Sequence, residues 1–278
     1  MKHFETEFTS PDKVTLYLQA WMPEHPKASL LLVHGLGEHS SRYQHLAEKL
    51  VASGIAVFTF DGRGHGKSAG GYPSAYIKNY QTYLQDIDAL FHKMTSYYPE
   101  LPNFIFGHSM GGGLVAAYAL DYQPQTNGIV LSAASLQPSD DLPPLLVRIA
   151  GLVSKLAPKM GVLKLESRKI SRDIQEVMKY DADPLVFHGA IPARTGHELL
   201  RMMKQIKSKV AQFKYPVLLM HGTADTLTDP KGTEFFFRNI SSEDKTFHRY
   251  PDLFHELINE PEKKTVINDI LVWIKARM

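Results

Sequence analysis

Five short apolar runs, each closed by glycine or a small polar residue, constrain this chain more than any other feature. They are ASLLLVHG (28–35), IAVFTFDG (55–62), NFIFGHS (103–109), NGIVLSA (127–133) and YPVLLMHG (215–222). None alternates apolar with polar residues, so each suits a strand buried on both faces, as strands of parallel sheets are. Between them stand RYQHLAEKLVASG, YQTYLQDIDALFHKMTSYY and GGGLVAAYALDY, with apolar residues at helical spacing. Near the start, VTLYLQAW alternates with period two and predicts an antiparallel strand. The βαβα order predicts an α/β fold, a mostly parallel central sheet flanked by helices.

The alternation stops after Ser132. Residues 136–183 have helical pattern, several prolines and no clear strand, and the next buried run waits until Val217. This predicts a core domain of residues 1–135 and 184–278 that carries an inserted, mainly helical cap at 136–183.

One residue in the third run does not belong in a buried strand. Ser109 sits in Gly107-His108-Ser109-Met110-Gly111, which matches G-x-S-x-G at a predicted strand-to-helix turn. A tight elbow there leaves no room for a Cβ on either side, which explains the glycines. The elbow presents Ser109 as a nucleophile. A serine nucleophile needs a base, and the base an orienting acid. On elbows of this kind the chain order is serine, acid, histidine. Asp225 lies in the loop just beyond the last buried run, and its rival Asp229 stands where it would cap a helix starting at Pro230. His255 follows a short late strand, whereas its rival His248 falls inside the alternating KTFHRY strand. The expected triad is Ser109, Asp225 and His255. The oxyanion formed by serine attack needs donors, expected from the backbone N–H groups of Met110, after the nucleophile, and Leu36, after the first buried run.

Composition removes other chemistries. A net charge of +2 leaves no footprint for nucleic acid, and the absence of cysteine removes thiolate nucleophiles and Cys-ligated zinc. DGRGHGKS ends like a phosphate loop, but the pattern needs glycine where Asp61 stands. A tight loop pinned by Asp61 and Arg63, with His65 structural, fits better. HELLR at His197 and HELIN at His255 lack the second histidine of H-E-x-x-H, so no metal is expected. MKHFETEFTS has no apolar signal stretch, and no run approaches the ~20 apolar residues of a membrane span. A cytoplasmic protein is expected.

HGLGEHSSRY, FDGRGHGKS, GHSMGG, HGTAD and HELINEP, spread in order from residue 34 to 261, together resemble the monoacylglycerol lipase and lysophospholipase branch of the α/β-hydrolases. The resemblance implies the α/β-hydrolase fold, Ser109, Asp225 and His255 as triad, Leu36 and Met110 as oxyanion donors, a cap after the sixth strand of the hydrolase sheet, and no cofactor. The expected activity is hydrolysis of a single-chain lipid ester, foremost a monoacylglycerol. Lysophospholipid, a short-chain ester, haloperoxidase or carbon–carbon hydrolase chemistry, and a non-catalytic receptor for an apolar ligand are the alternatives. No obligate protein partner is inferred.

Gly35, Glu38 and Arg42 are candidate substrate contacts beside the oxyanion loop, although Glu38, His39, Arg42 and Tyr43 suit an anchor for the following helix equally well. In the cap, Leu145, Leu146, Ile149, Leu152, Val153 and Leu156 form an apolar stripe at helical spacing, beside the cations Arg148, Lys155 and Lys159. Two readings stand: a helix packed on the core, or a face that covers the acyl tunnel through Leu145, Ile149 and Leu152 and touches micelles or membranes, making the protein peripheral.

Overall fold

A computed structural model describes residues 1–138 and 144–278, with residues 144–148 described in backbone alone. The first two strands, β1 (Lys2–Thr9) and β2 (Thr15–Met22), form an antiparallel pair. Then β3 (Ala28–Val33), α1 (Gln44–Ala52), β4 (Ile55–Phe60), α2 (Tyr80–Tyr97), β5 (Asn103–His108), α3 (Met110–Tyr122) and β6 (Gly128–Ser132) alternate. Between β6 and the next strand of the sheet lie α4 (Pro144–Leu156), β7 (Gly161–Lys164), α5 (Ile174–Ala182) and β8 (Ala190–Pro192), and α6 (Ala193–Lys209) leads back to the sheet. Last come β9 (Val217–Gly222), α7 (Pro230–Asn239), β10 (Lys245–Tyr250) and α8 (Lys263–Lys275).

The five apolar runs are the five adjacent strands β4, β3, β5, β6 and β9. Every residue of β3, β4, β6 and β9 is buried, because helices cover both faces of the sheet. The eight strands run in the order β1-β2-β4-β3-β5-β6-β9-β10, parallel except where β2 meets β1 and β4. Two apolar layers result. Helices α2, α3, α6 and α7 pack on one face around Leu114, Tyr118, Met202 and Phe236, and α1 and α8 on the other around Leu50, Ile270 and Trp273.

Register decides where the chemistry gathers. Val33 pairs with Gly107, His108 with Ser132, and Ser132 with Met220. The loops after β3, β5 and β9 therefore leave the sheet at one carboxyl edge, the place where parallel sheets hold their ligands.

The structure departs from the sequence reading in two elements. Strand β1 falls in a segment read only for what it lacks; seven of its eight residues are exposed, so no burial period marks it. Residues 136–183 contain a strand after all: β7 pairs antiparallel with β8, which lies just beyond them. The DGRGHGKS loop is pinned as expected. Asp61 accepts from Ser40 N (2.8 Å), Ser40 Oγ (2.5 Å) and Lys67 N (2.8 Å), while Arg63 bridges Asp86 and Asp12.

Candidate active site

The turn from β5 into α3 shows why glycine flanks the serine. A Cβ on Gly107 would stand 2.6 Å from the carbonyl oxygen of Gly111, and one on Gly111 would stand 2.3 Å from that of Val33. Ser109 between them takes φ 53°, ψ −120°, a left-handed conformation that costs an L-residue energy. Its backbone holds the turn: Ser109 N donates to Ser132 O (2.9 Å), and Ser109 O accepts from Gly113 N and Ser135 N.

His255 and Asp225 arrive from the loops after β10 and β9. His255 Nε2 lies 2.9 Å from Ser109 Oγ, and His255 Nδ1 lies 2.8 Å from Asp225 Oδ2. Asp225 is buried and accepts from Leu227 N, Thr228 N, Thr228 Oγ1 and His221 Nε2. Burial alone would raise the Asp225 carboxyl, but His255 and His221 hold it well below the usual range. For His255 burial disfavours the charged ring, yet Asp225, Glu256 and Glu38 outweigh it and lift the imidazole above its ordinary value.

The histidine beside Ser109 behaves oppositely. The His108 ring lies 4.8 Å from that of His255, centroid to centroid. Burial first, then the neighbouring His255, push His108 down to about 4. Of the two imidazoles, only His255 reaches the serine with a partner carboxylate behind it.

The loop after β3 closes the site. A Cβ on Gly35 would meet Ser109 Cβ at 3.2 Å and Glu38 Oε1 at 2.7 Å. Met110 opens α3, so its N–H has no partner within the helix. Leu36, Met110 and Ser109 all line a cavity of about 590 Å³. Its walls are mainly apolar, with Leu199, Leu200 and Met203 from α6 and Ala150 and Val153 from α4.

A family model described as serine aminopeptidase, S33, matches residues 24–262. Over 275 residues the chain is 34% identical to a monoacylglycerol lipase of Mycolicibacterium smegmatis, covering 99% of this chain and 98% of that one. The crystal structure of Paleococcus ferrophilus monoacylglycerol lipase matches with a TM-score of 0.85 and 30% identity, over 95% of this chain and 99% of that one. A soluble variant of Saccharomyces cerevisiae monoglyceride lipase, in complex with a substrate analog, gives a TM-score of 0.87 at 26% identity over 99% and 95%. The chain belongs to the monoacylglycerol lipase branch of the α/β-hydrolases. It is a serine hydrolase.

Against this family's fold, the remaining candidates sort by position. Gly35 and Glu38 line the cavity. Arg42 does not appear on its described wall; its guanidinium is held behind Glu38 and Glu256. Ile149 and Leu152 are also displaced from the expected role. They are 39% and 60% exposed on the outer side of α4, and among its described side chains Ala150 and Val153 face the cavity. The side chain of Leu145 lies outside the described residues. Of the rivals, Asp229 caps α7 through Lys231 N (2.9 Å), and His248 on β10 faces Asp269 of α8. His108, His221 and Glu256 were missed as site residues. His108 and His221 lie inside quoted motifs, GHSMGG and HGTAD, but nothing local separates their role from that of a packed imidazole.

Proposed function

We propose that this serine hydrolase cleaves monoacylglycerols to fatty acid and glycerol, with Ser109, His255 and Asp225 as catalytic triad. The observation that carries the reading is the 2.9 Å approach of His255 Nε2 to Ser109 Oγ at the floor of an apolar cavity. His255 takes the Ser109 proton as the hydroxyl attacks the ester carbonyl, and Asp225 holds the ring in the working tautomer. Backbone N–H groups of Leu36 and Met110 receive the oxyanion. The tetrahedral intermediate collapses, the C–O bond to glycerol breaks, and the alkoxide leaves with the proton from His255. Water, deprotonated by the same imidazole, then attacks the acyl-serine and releases the fatty acid. No cofactor enters these steps.

The relatives named monoacylglycerol lipase support the substrate, and the cavity volume falls within the roughly 300–1,000 Å³ of small-ligand sites. Lys164 on its wall, where Lys169 is already paired with Glu166, favours lysophospholipid, whose phosphate it would meet, as the second reading. The inserted segment acts as a cap over the cavity. No helix among the described residues is long and apolar enough to cross a membrane. Contact with lipid aggregates is assigned instead to the outer side of α4, where Ile149, Leu152 and Leu156 are exposed. The protein would then work in the cytoplasm as a peripheral enzyme.

The test is a hydrolysis panel of mono-, di- and triacylglycerols, lysophosphatidylcholine and a p-nitrophenyl ester, run with wild type and Ser109→Ala. Monoacylglycerol is expected to be the preferred substrate, and the variant to lose on the order of 10⁶ in turnover. A variant retaining a tenth of wild-type rate would remove Ser109 from the mechanism; preference for lysophosphatidylcholine would transfer the assignment to the second reading.

A further inference from the structure

Behind the triad lies a set of buried charges that the hydrolytic steps do not use. Arg42 donates through Nη1 to Glu38 Oε2 and Glu256 Oε1, and through Nη2 to Glu256 Oε2, each at 2.7 Å. Glu38 Oε1 accepts the Gly35 N–H (2.6 Å) and the Tyr43 hydroxyl (2.5 Å). Glu256 Oε2 also accepts Asn259 Nδ2 (2.7 Å), and the Tyr180 ring covers the guanidinium at 4.8 Å. The side chains of Arg42, Glu38 and Glu256 are 10%, 5% and 6% exposed.

Stability does not account for this arrangement, since buried ion pairs are commonly no better than apolar residues of the same shape. Geometry does. A bidentate guanidinium–carboxylate pair fixes two planes and a distance, which no apolar contact achieves. One end of the set grips the N–H of Gly35, the residue before Leu36. The other end is the residue after His255, 214 positions away from Arg42.

We propose that Glu38, Arg42 and Glu256 form a positioning clamp that holds the Gly35–Leu36 oxyanion loop in register with the His255 loop, so that donor and base meet the same tetrahedral centre. The inference rests on the hydrolase reading above. It makes Arg42 a positioning residue that acts through its two glutamates.

The test uses a soluble p-nitrophenyl ester with wild type, Ser109→Ala, Glu256→Gln and the double variant Arg42→Gln/Glu256→Gln. The double variant keeps the clamp's net charge of one negative and removes its fork. A folded double variant is expected to lose at least about tenfold in kcat with KM within about twofold. Wild-type kcat in that folded variant, or raised KM at unchanged kcat, overturns the clamp; the latter would make the pair a substrate contact. If the double variant does not fold, Glu256→Gln decides. The groups facing His255 are Asp225, Ser109, Thr228, His108, Glu256 and Glu38. Neutralising Glu256 removes one anion that favours the imidazolium, so the acid limb of kcat/KM should move to lower pH while kcat falls. If either change is absent, the clamp is rejected. Absence of Ser109-dependent hydrolysis in wild type would instead remove the parent reading.

Discussion

Ser109 occupies a backbone conformation in which a Cβ is a liability, and the elbow tolerates it because Gly107 and Gly111 have none. Strain of this kind costs about 1–3 kcal/mol and is kept where a function requires it. Ser109→Gly should therefore raise the melting temperature while abolishing hydrolysis; thermal denaturation beside an esterase assay checks both, and an unchanged or lower melting temperature would count against stored strain. Gly35 is constrained by crowding, not by φ, since its added methyl would meet Glu38 Oε1 at 2.7 Å and Ser109 Cβ at 3.2 Å. Gly35→Ala must push the loop after β3 off the serine. A misplacement near 1 Å costs on the order of 10²-fold in rate. The expected result is that loss in kcat on a soluble ester, with the protein still folded by circular dichroism.

At the scale of elements, α4 shows how one apolar pattern serves two surfaces. Ala150 and Val153 face the cavity, whereas Ile149, Leu152 and Leu156 are exposed by 39%, 60% and 78%. Exposed positions contribute little to folding, so Ile149→Asp with Leu152→Asp should shift the melting temperature by less than about 2 °C. If the outer face touches lipid, that variant loses liposome binding and activity on long-chain monoacylglycerol while a soluble short-chain ester is hydrolysed normally. Equal loss on both substrates would refute the surface contact. Val153→Asp places a charge on the cavity wall instead. It should raise KM for long-chain esters most and leave vesicle binding near wild type in a sedimentation assay.

The whole molecule responds to pH through imidazoles with opposite environments. In the proposed mechanism His255 must be neutral to accept the serine proton, and its folded value lies above the ordinary one of about 6.5. Activity should therefore be lost as pH falls through a midpoint above that value, which a kcat/KM profile on a soluble ester would show. His65 and His108 are held down to about 3 and about 4, chiefly by burial. Below pH 6.5 the unfolded chain binds protons at these two positions and the folded chain does not. Stability should then fall as pH drops from about 6.5 toward 4, by up to about 1.4 kcal/mol per pH unit for each histidine. Asp225, with its folded value depressed, stabilises above the unfolded carboxylate range near 3.9 and loses that contribution only at still lower pH. Denaturant melts at pH 7 and pH 5 would measure the histidine window; equal midpoints would contradict it.

Sequence alone determined the sheet and the serine elbow, because both are written in neighbours. Continuous apolar runs can only be buried on two faces, and a serine between glycines at the end of one has few conformations open to it. Chain order then supplied Asp225 and His255, the two groups now found within 2.8–2.9 Å of their partners. Strand β1 was not legible, since an exposed edge strand pairs through its backbone and leaves no pattern in its side chains. Nor could periodicity decide which side of α4 faces the cavity: the helix is apolar on both, and only the packing of α6 beneath it makes the choice. The Glu38–Arg42–Glu256 set lay beyond reach for a related reason. Arg42 and Glu256 are far apart along the chain, and a charge displays its partner only after the sheet's register has brought the two loops to one edge. Local pattern fixes what must be buried; the three-dimensional fold selects which buried groups meet.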